Sequence, residues 1–157
     1  MALKYIFISN SEEQTKKVAS QLATYLFPGA VITLNGPLGS GKTTFVSGVA
    51  RGLGITERVI SPTFNILKCY FESKPSMFHI DAYRLENRMS ELGLEEFIEG
   101  EGVTLIEWPD YIITLIPKNH MRIEMETIHK NQRRLTFHSI GSKYDDLLIK
   151  LEAANHV

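Results

Sequence analysis

The sequence predicts a three-layer α/β domain with a mixed, largely parallel sheet and added antiparallel strands. Three observations predict this fold. A β-branched run, Val31–Asn35, is followed at once by a glycine-rich loop and then by a segment of helical pattern. Two later apolar runs each end in a carboxylate, as is typical of parallel strands that border a ligand crevice. Near the C-terminus, two segments alternate apolar with charged residues, which indicates strands with one solvated face.

The first part of the chain is expected to form a strand, a helix and a second strand. Residues 5–8 have the aromatic and β-branched composition of a strand. Ser11 followed by Gln14 forms a capping box, so a helix begins there, and it is expected to end at Pro28-Gly29. Residues at helical spacing form one face of this helix, which we expect to pack on the sheet: Thr15, Val18, Leu22 and Leu26.

The remaining elements are predicted from the same patterns. Strands are expected at residues 64–71, 77–80, 103–106, 120–128 and 135–140. The first two of these form an antiparallel hairpin, and the last two pair across residues 130–132. Helices are expected at residues 44–51, at 87–97 with a break at Gly93, and at 144–154.

The loop after the second strand matches the P-loop pattern GxxxxGKS/T of nucleotide-binding proteins. The matching residues are Gly36, Gly39, Gly41, Lys42 and Thr43. A polyphosphate needs many donors in a small volume, and glycines allow backbone amides to approach it closely. The first turn of the following helix adds free N–H groups and the positive end of the helix dipole. The expected domain is therefore P-loop NTPase-like.

This motif predicts a nucleotide polyphosphate and Mg²⁺ as ligands, and the favoured nucleotide is ATP for the reason given below. The amides from Ser40 to Thr43 would point at the phosphates, and Lys42 would neutralise the β and γ phosphates. The hydroxyl of Thr43 would ligate Mg²⁺. Leu38 and Thr44 belong to the same predicted binding loop. Because no Asn-Lys-x-Asp string for guanine occurs in the chain, adenine is the favoured base.

Length and composition predict a single domain, residues 1–157, of ordinary globular character. Apolar residues make up 43% of the chain and charged residues 22%. The balance of 17 basic against 18 acidic residues gives no broad positive surface, so DNA is not an expected partner. No apolar run approaches the length of a membrane span, and the single cysteine, Cys69, fits a reducing compartment. A cytoplasmic location without a membrane partner is expected.

Two carboxylates are candidates for the acidic group that a P-loop enzyme needs beside its metal. The run at residues 77–80 ends in Asp81, and the run at 103–106 ends in Glu107. Because the carboxyl ends of parallel strands border the crevice where ligands bind, we expect at least one of them to contact Mg²⁺ or its water. For either residue alone, the alternative is a carboxylate that only caps the next element.

Several other residues have two interpretations. Thr63 lies on a stiff proline loop that could sense the γ-phosphate. Ser11 and Thr15 either border the base or only cap and pack their helix, and the second interpretation is favoured. Trp108 either stacks on a ligand or packs in the core. The five histidines show no metal-ligand spacing, so no chemistry is assigned to them.

Five segments together resemble, in order and spacing, the TsaE family, which is also called YjeE. They are residues 36–44, Ser61-Pro62-Thr63-Phe64, the string His79-Ile80-Asp81-Ala82-Tyr83-Arg84-Leu85, Glu91-Leu92-Gly93-Leu94, and Leu105-Ile106-Glu107-Trp108-Pro109. The likeness covers most of residues 5 to 140. The family pattern usually has Tyr where this chain has Phe64, and Leu where it has Ala82.

The resemblance implies a small bacterial ATPase that acts with TsaD and TsaB in the threonylcarbamoyladenosine modification of tRNA. It implies Mg²⁺ bound through Thr43 and Glu107, with Asp81 near the γ-phosphate or the attacking water and Thr63 in a switch-like loop. Lys42, Asp81 and Glu107 are then the expected catalytic residues. A family arginine near the late strand corresponds to Arg133 or Arg134, and Arg134 is favoured. The tRNA is expected to be reached through the complex.

Two other functions stay open at this point. A small-molecule kinase would share the P-loop and the carboxylates but would transfer the γ-phosphoryl group to an acceptor. A nucleotide-gated binding module would use ATP only to fix a conformation. The sequence offers no obvious acceptor pocket and no arginine-rich lid, so hydrolysis by water is the simpler expectation. We expect that hydrolysis to be slow until a partner completes or orders the site.

Overall fold

The computed structural model describes residues 3–86 and 93–155. Its strands are β1 Leu3–Ser9, β2 Val31–Asn35, β3 Leu67–Tyr70, β4 Met77–Asp81, β5 Val103–Glu107, β6 His120–His129 and β7 Gln132–Ile140. They form one seven-stranded sheet in the order β1-β7-β6-β2-β5-β4-β3. Strands β6, β2, β5 and β4 are parallel, whereas β1, β7 and β3 add antiparallel pairings at the two sides. The predicted mixed α/β sheet is confirmed.

Helices cover both faces of this sheet. Among the described residues, the α-helices are α1 Glu12–Ala23, α2 Lys42–Leu53, α3 Leu94–Ile98 and α4 Ser142–Ala154, and the 3₁₀ helices are Tyr83–Leu85 and Pro109–Leu115. The larger core lies where α1, α2 and α4 pack on the sheet, and a smaller core lies beneath α3 and the second 3₁₀ helix. Because side chains alternate along a strand, Leu105 enters the larger core and Ile106 the smaller one.

The capping box at the start of α1 forms as predicted. The amide of Gln14 donates to the Ser11 hydroxyl oxygen at 3.0 Å, while the Gln14 side chain accepts from the Asn10 amide at 2.7 Å. The predicted end of this helix near Pro28 was wrong, because the backbone tightens after Ala23. The amides of Tyr25 and Leu26 there donate to the carbonyls three residues earlier, as in a 3₁₀ turn.

Other boundaries also differ from the prediction: β1 extends over Leu3–Ser9, β7 begins at Gln132 and α4 begins at Ser142. Helix α2 begins at Lys42, so the motif lysine already lies in its first turn. Strand β3 begins at Leu67 rather than residue 64, because the Ile66 amide donates to the Pro62 carbonyl and closes a turn. Part of the predicted broken helix at 87–97 lies outside the described residues, and α3 follows Gly93, its N-cap. Within the two described ranges, no helix has the length and apolar character that crossing a bilayer requires.

Candidate functional site

The two candidate carboxylates lie side by side at the carboxyl ends of parallel strands. Asp81 on β4 pairs in register with Glu107 on β5, and Glu107 pairs with Leu34 on β2. Residues in register on parallel strands project to the same face of the sheet. Leu34 belongs to the core that Phe45 of α2 also fills, so both carboxylates lie on the face that carries the P-loop helix.

The P-loop backbone leaves no room for side chains at its first glycine. A Cβ on Gly36 would lie 2.6 Å from the Met125 carbonyl oxygen and 2.6 Å from the Ser40 hydroxyl oxygen. Gly41 caps α2 with a φ of 101°, a left-handed conformation that other residues adopt at a cost. These glycines therefore set the path of the loop between β2 and α2.

Lys42 is buried and held by the loop itself. Its Nζ donates to the Gly36 carbonyl oxygen at 2.5 Å and lies 3.9 Å from the centroid of the Trp108 ring. Burial lowers the pKa of Lys42, whereas the negative charges of Glu107 and Asp81 raise it. The ammonium group is thus fixed between the glycine loop and the acidic strand ends, where a phosphate oxygen would meet it.

Asp81 ties the proline loop to the end of β4. Its Oδ2 accepts from the Thr63 hydroxyl at 2.9 Å and from the Ser61 hydroxyl at 3.4 Å, and the two hydroxyls lie 2.8 Å apart. Its Oδ1 accepts from the Tyr83 amide at 3.0 Å. The carboxylate therefore caps the following 3₁₀ helix, as the structural alternative proposed, and also positions Thr63.

Glu107 is paired with a histidine that sequence reasoning missed. The Nε2 atom of His79 lies 2.6 Å from Glu107 Oε2, and both side chains are buried. The spacing of His79 and Asp81, two residues apart on one strand, is the signal that could have placed both on the site's face. It predicts a shared face but not the contact, since the chain does not reveal which strands are neighbours.

A cavity of about 860 Å³ brings most of the predicted site residues together. The predicted residues that line it are Ser11, Leu38, Gly39, Gly41, Lys42, Thr43, Thr44, Thr63, Asp81 and Glu107. Gly36 and Ser40 do not line the cavity. The Gly36 carbonyl accepts a hydrogen bond from Lys42, and Ser40 is fully buried. A volume of this size suits a nucleotide-sized ligand.

Comparison with known proteins identifies the family. The family model described as "Threonylcarbamoyl adenosine biosynthesis protein TsaE" matches residues 9–135. The chain belongs to the TsaE family. A relative from Bacillus subtilis, named tRNA threonylcarbamoyladenosine biosynthesis protein TsaE, is 40% identical over 145 residues, which is 92% of each chain. A protein of the same name from Rickettsia felis is 39% identical over 131 residues, covering 82% of this chain and 76% of that one.

A solved structure of the same kind supports the fold. The crystal structure of Bacillus subtilis YdiB superposes with a TM-score of 0.87 and 35% sequence identity, covering 99% of both chains. The resemblance to the TsaE family noted from the sequence is therefore confirmed.

The structure places Arg133, rather than the favoured Arg134, beside the cavity. Arg133 lines the cavity of this TsaE-family chain, and its guanidinium donates to the Gly39 carbonyl oxygen at 3.4 Å. Arg134 is instead 3.6 Å from Glu126, its direct neighbour across β6 and β7. Adjacent residues of a strand project to opposite faces, so only one of the two arginines can reach the P-loop.

Further residues line the cavity beyond those predicted as ligand-binding. They are Asn10, Glu12, Thr15, Ser61, Tyr83, Trp108, Lys130, Asn131 and Arg133. Trp108 lines the cavity and also packs against Tyr83 and Tyr111 at centroid distances of 5.1 and 6.2 Å. Thr15 likewise lines the cavity while bonded to Ser9 at 2.7 Å.

The donors in the cavity fit a hard divalent cation. The Thr43 hydroxyl and the Glu107 carboxylate both line it, and oxygen ligands of this kind suit Mg²⁺. Within residues 3–86 and 93–155, no three His, Cys, Asp or Glu side chains cluster in a way that could hold a metal ion by themselves. An ion bound here would therefore need ligands from a phosphate and water, which is how Mg²⁺ is usually held at phosphate sites.

Proposed function

We propose that this TsaE-family chain binds ATP with Mg²⁺ and hydrolyses its γ-phosphate during threonylcarbamoyladenosine biosynthesis on tRNA. The observation that carries the proposal is the meeting of Lys42, Thr43, Asp81 and Glu107 in one cavity. A P-loop supplies phosphate donors, and the acidic strand ends supply the metal side of the site. The names of the relatives supply the pathway.

The glycine-loop side of the cavity is the phosphate-binding side. Lys42 is directed there by its bond to the Gly36 carbonyl and would exchange that bond for a phosphate oxygen. The first turn of α2 offers amides to the same place. Arg133 and Ser11 also line the cavity, with the Arg133 guanidinium 3.4 Å from the Gly39 carbonyl oxygen, and are proposed to contact the nucleoside or its phosphates.

The acidic side of the cavity is proposed to hold the metal and water. Thr43 and Glu107 would hold Mg²⁺, which when bound neutralises charge that develops on the transferred phosphoryl group. Asp81 holds the Thr63 hydroxyl at 2.9 Å and so fixes the loop beside the γ-phosphate position. We assign Asp81 the task of orienting the attacking water together with Thr63.

TsaB and TsaD are the proposed partners. Large apolar side chains are exposed near the cavity mouth: Leu38 is 86% exposed, Phe64 81% and Tyr83 47%. Leu38 and Tyr83 line the cavity itself, and Phe64 follows Thr63. Exposed apolar groups beside a site commonly mark a protein contact. A partner seated there would exclude water and order the Thr63 loop, so the isolated chain is expected to turn over slowly.

Phosphate release tests this proposal directly. Purified chain is assayed with Mg²⁺ and ATP, alone and with TsaB and TsaD, using the wild type, Asp81→Ala and Glu107→Ala. The expected result is slow release alone, stimulation by the partners and loss of stimulated release in both variants. Rapid unstimulated turnover would contradict partner dependence. ATP loss that requires a small-molecule acceptor and phosphorylates it would support a kinase instead. Full modification activity of Glu107→Ala without hydrolysis would support a gated binding module.

A further inference from the structure

The His79–Glu107 pair is buried at the inner end of the cavity wall. The two residues are 0% and 3% exposed, and their hydrogen bond is 2.6 Å long. A carboxylate that binds a metal is ionised and can only accept, so in that state the histidine Nε2 carries the hydrogen and donates it to Oε2 of Glu107. The bond occupies one carboxylate oxygen, while Glu107 still lines the cavity.

The strand register explains how the ring reaches this carboxylate. His79 on β4 pairs with Leu105 on β5, and Glu107 is two residues further along β5 on the same face. Diagonal neighbours of this kind are within reach of a long side chain. The imidazole therefore approaches Glu107 from behind, along the sheet, rather than from the cavity.

Burying His79 costs free energy of folding, and this cost suggests that the ring has a specific role. Its other nitrogen, Nδ1, is buried without a hydrogen-bond partner among the described residues. A buried polar atom without a partner destabilises a protein, and an apolar side chain at this position would avoid that cost. The polar contact that the ring does make in the described structure is the one with Glu107.

We propose that His79 is a positioning residue that fixes one oxygen of Glu107 so that the other is presented to the metal in the cavity. This inference rests on the proposed function, because it takes Glu107 to be a metal ligand. Hydrogen bonds to a ligating group from residues behind it commonly set its orientation and contribute strongly to metal affinity. Removal of the ring donor should therefore weaken metal binding more than nucleotide binding.

The chain contains a matched control pair on its surface. His138 on β7 lies 3.0 Å from Glu124 on β6, and both side chains are partly exposed and absent from the cavity lining. The pair repeats the histidine–carboxylate contact between neighbouring strands without a role at the site. His138→Leu should therefore reproduce any general effect of losing such a contact, while leaving the metal site intact.

The experiment measures Mn²⁺ affinity in the ADP complex by electron paramagnetic resonance. Wild type is compared with His79→Leu, His79→Gln, Glu107→Gln and His138→Leu, and ADP affinity is measured separately in EDTA. We expect His79→Leu to weaken Mn²⁺ binding by about 10–100-fold, with ADP affinity in EDTA unchanged. The amide donor of His79→Gln should restore most of the loss, and His138→Leu should match wild type.

The outcomes separate this inference from the proposed function. Equal Mn²⁺ affinity in wild type and His79→Leu, with Glu107→Gln weakened, would overturn the positioning role and leave the metal site standing. Equal affinity in wild type and Glu107→Gln would overturn the metal role of Glu107 and with it this inference. A parallel loss of Mn²⁺ and of ADP affinity in His79→Leu would indicate a structural role alone and would also overturn it.

A measurement on wild type guards against variants that fail to fold. The ring nitrogens of His79 can be followed by nitrogen-15 nuclear magnetic resonance in the full chain. We expect the Nε2 signal to shift when Mg²⁺ is added to the ADP complex and to stay unchanged when ADP is added in EDTA. A His79 signal that does not respond to Mg²⁺, while backbone signals at Thr43 do respond, would overturn the inference.

Discussion

The two walls of the cavity are built in different ways. One wall, called the phosphate wall because we propose that it binds phosphate, comes mainly from a single stretch, residues 38–44, which includes the Lys42 ammonium. The acidic wall comes from β4, β5 and the proline loop, which are distant in sequence. Its carboxylates already hold hydrogen bonds to Thr63, Tyr83 and His79.

This difference predicts how each wall responds to change. The phosphate wall depends on local backbone geometry, so substitutions within the loop itself should have the main effect. The acidic wall depends on strand register and on partners behind the carboxylates, so residues outside the cavity should affect it as well. Changes in the phosphate wall should therefore alter nucleotide affinity, and changes in the acidic wall should alter metal-dependent turnover.

Glu107→Gln is expected to have the largest effect, and it should impair the acidic wall without affecting the phosphate wall. The amide keeps the size of the side chain but removes its negative charge, so hydrolysis should fall by about 100-fold or more through loss of the metal. ADP affinity in EDTA should be unchanged. Phosphate release measures the hydrolysis, and titration calorimetry measures the ADP affinity. Glu124→Gln, on the surface of β6, is the control. An equal loss of nucleotide affinity in Glu107→Gln would contradict the separate roles of the two walls.

Lys42→Ala should weaken nucleotide binding at the phosphate wall. Each charge-assisted contact to phosphate is worth about 1.5–3 kcal/mol, so nucleotide affinity should fall by about 10–150-fold. The loss should persist in EDTA, because the ammonium contacts phosphate rather than metal. Calorimetry against Lys4→Ala, an exposed lysine on β1, provides the comparison. Unchanged affinity would remove Lys42 from the binding site.

Thr63→Val tests how much the hydrogen bond between Thr63 and Asp81 stabilises the acidic wall. The substitution keeps the shape of the side chain and removes the 2.9 Å hydrogen bond to Asp81. We expect the free energy of unfolding to fall by about 1–2 kcal/mol, because the bond joins a hydroxyl to a charged group. Urea denaturation measures it, with Thr63→Ser as the variant that retains the bond. Identical stability of Thr63→Val and wild type would show that the loop is held by other contacts.

The smallest expected effect distinguishes the two neighbouring arginines. Arg133→Ala should weaken nucleotide binding by about 2–5-fold, which is the range for a solvent-exposed charge contact. Arg134→Ala should leave binding unchanged, because its side chain is directed to Glu126. Calorimetry at two salt concentrations measures both, and the Arg133 effect should shrink at the higher one. A larger effect in Arg134→Ala would favour Arg134, the residue predicted from the sequence, as the nucleotide contact.

Much of the phosphate wall could be predicted from the sequence because its information is local. The glycine positions, Lys42 and Thr43 lie within one motif, and the strand and helix on either side follow from short-range pattern. Asp81 and Glu107 were also predictable, since each ends an apolar run. What could not be predicted was that the two carboxylates are direct neighbours in register.

Three features were decided by contacts between distant segments. The pairing of His79 with Glu107 requires β4 and β5 to be adjacent, which no local pattern specifies. Whether Arg133 or Arg134 faces the cavity depends on the strand register, because a shift of one residue moves each side chain to the opposite face of the sheet. The late start of β3 depends on a turn closed by the Pro62 carbonyl.

The sequence by itself therefore determined the glycine loop that we propose receives phosphate and the identity of the acids that could serve a metal. The tertiary structure alone decided which buried ring supports Glu107, which arginine reaches the loop and how the proline loop is fastened to Asp81. The physical reason is that glycine geometry and helix amides act within a few residues, whereas hydrogen bonds between strands exist only once the sheet has assembled.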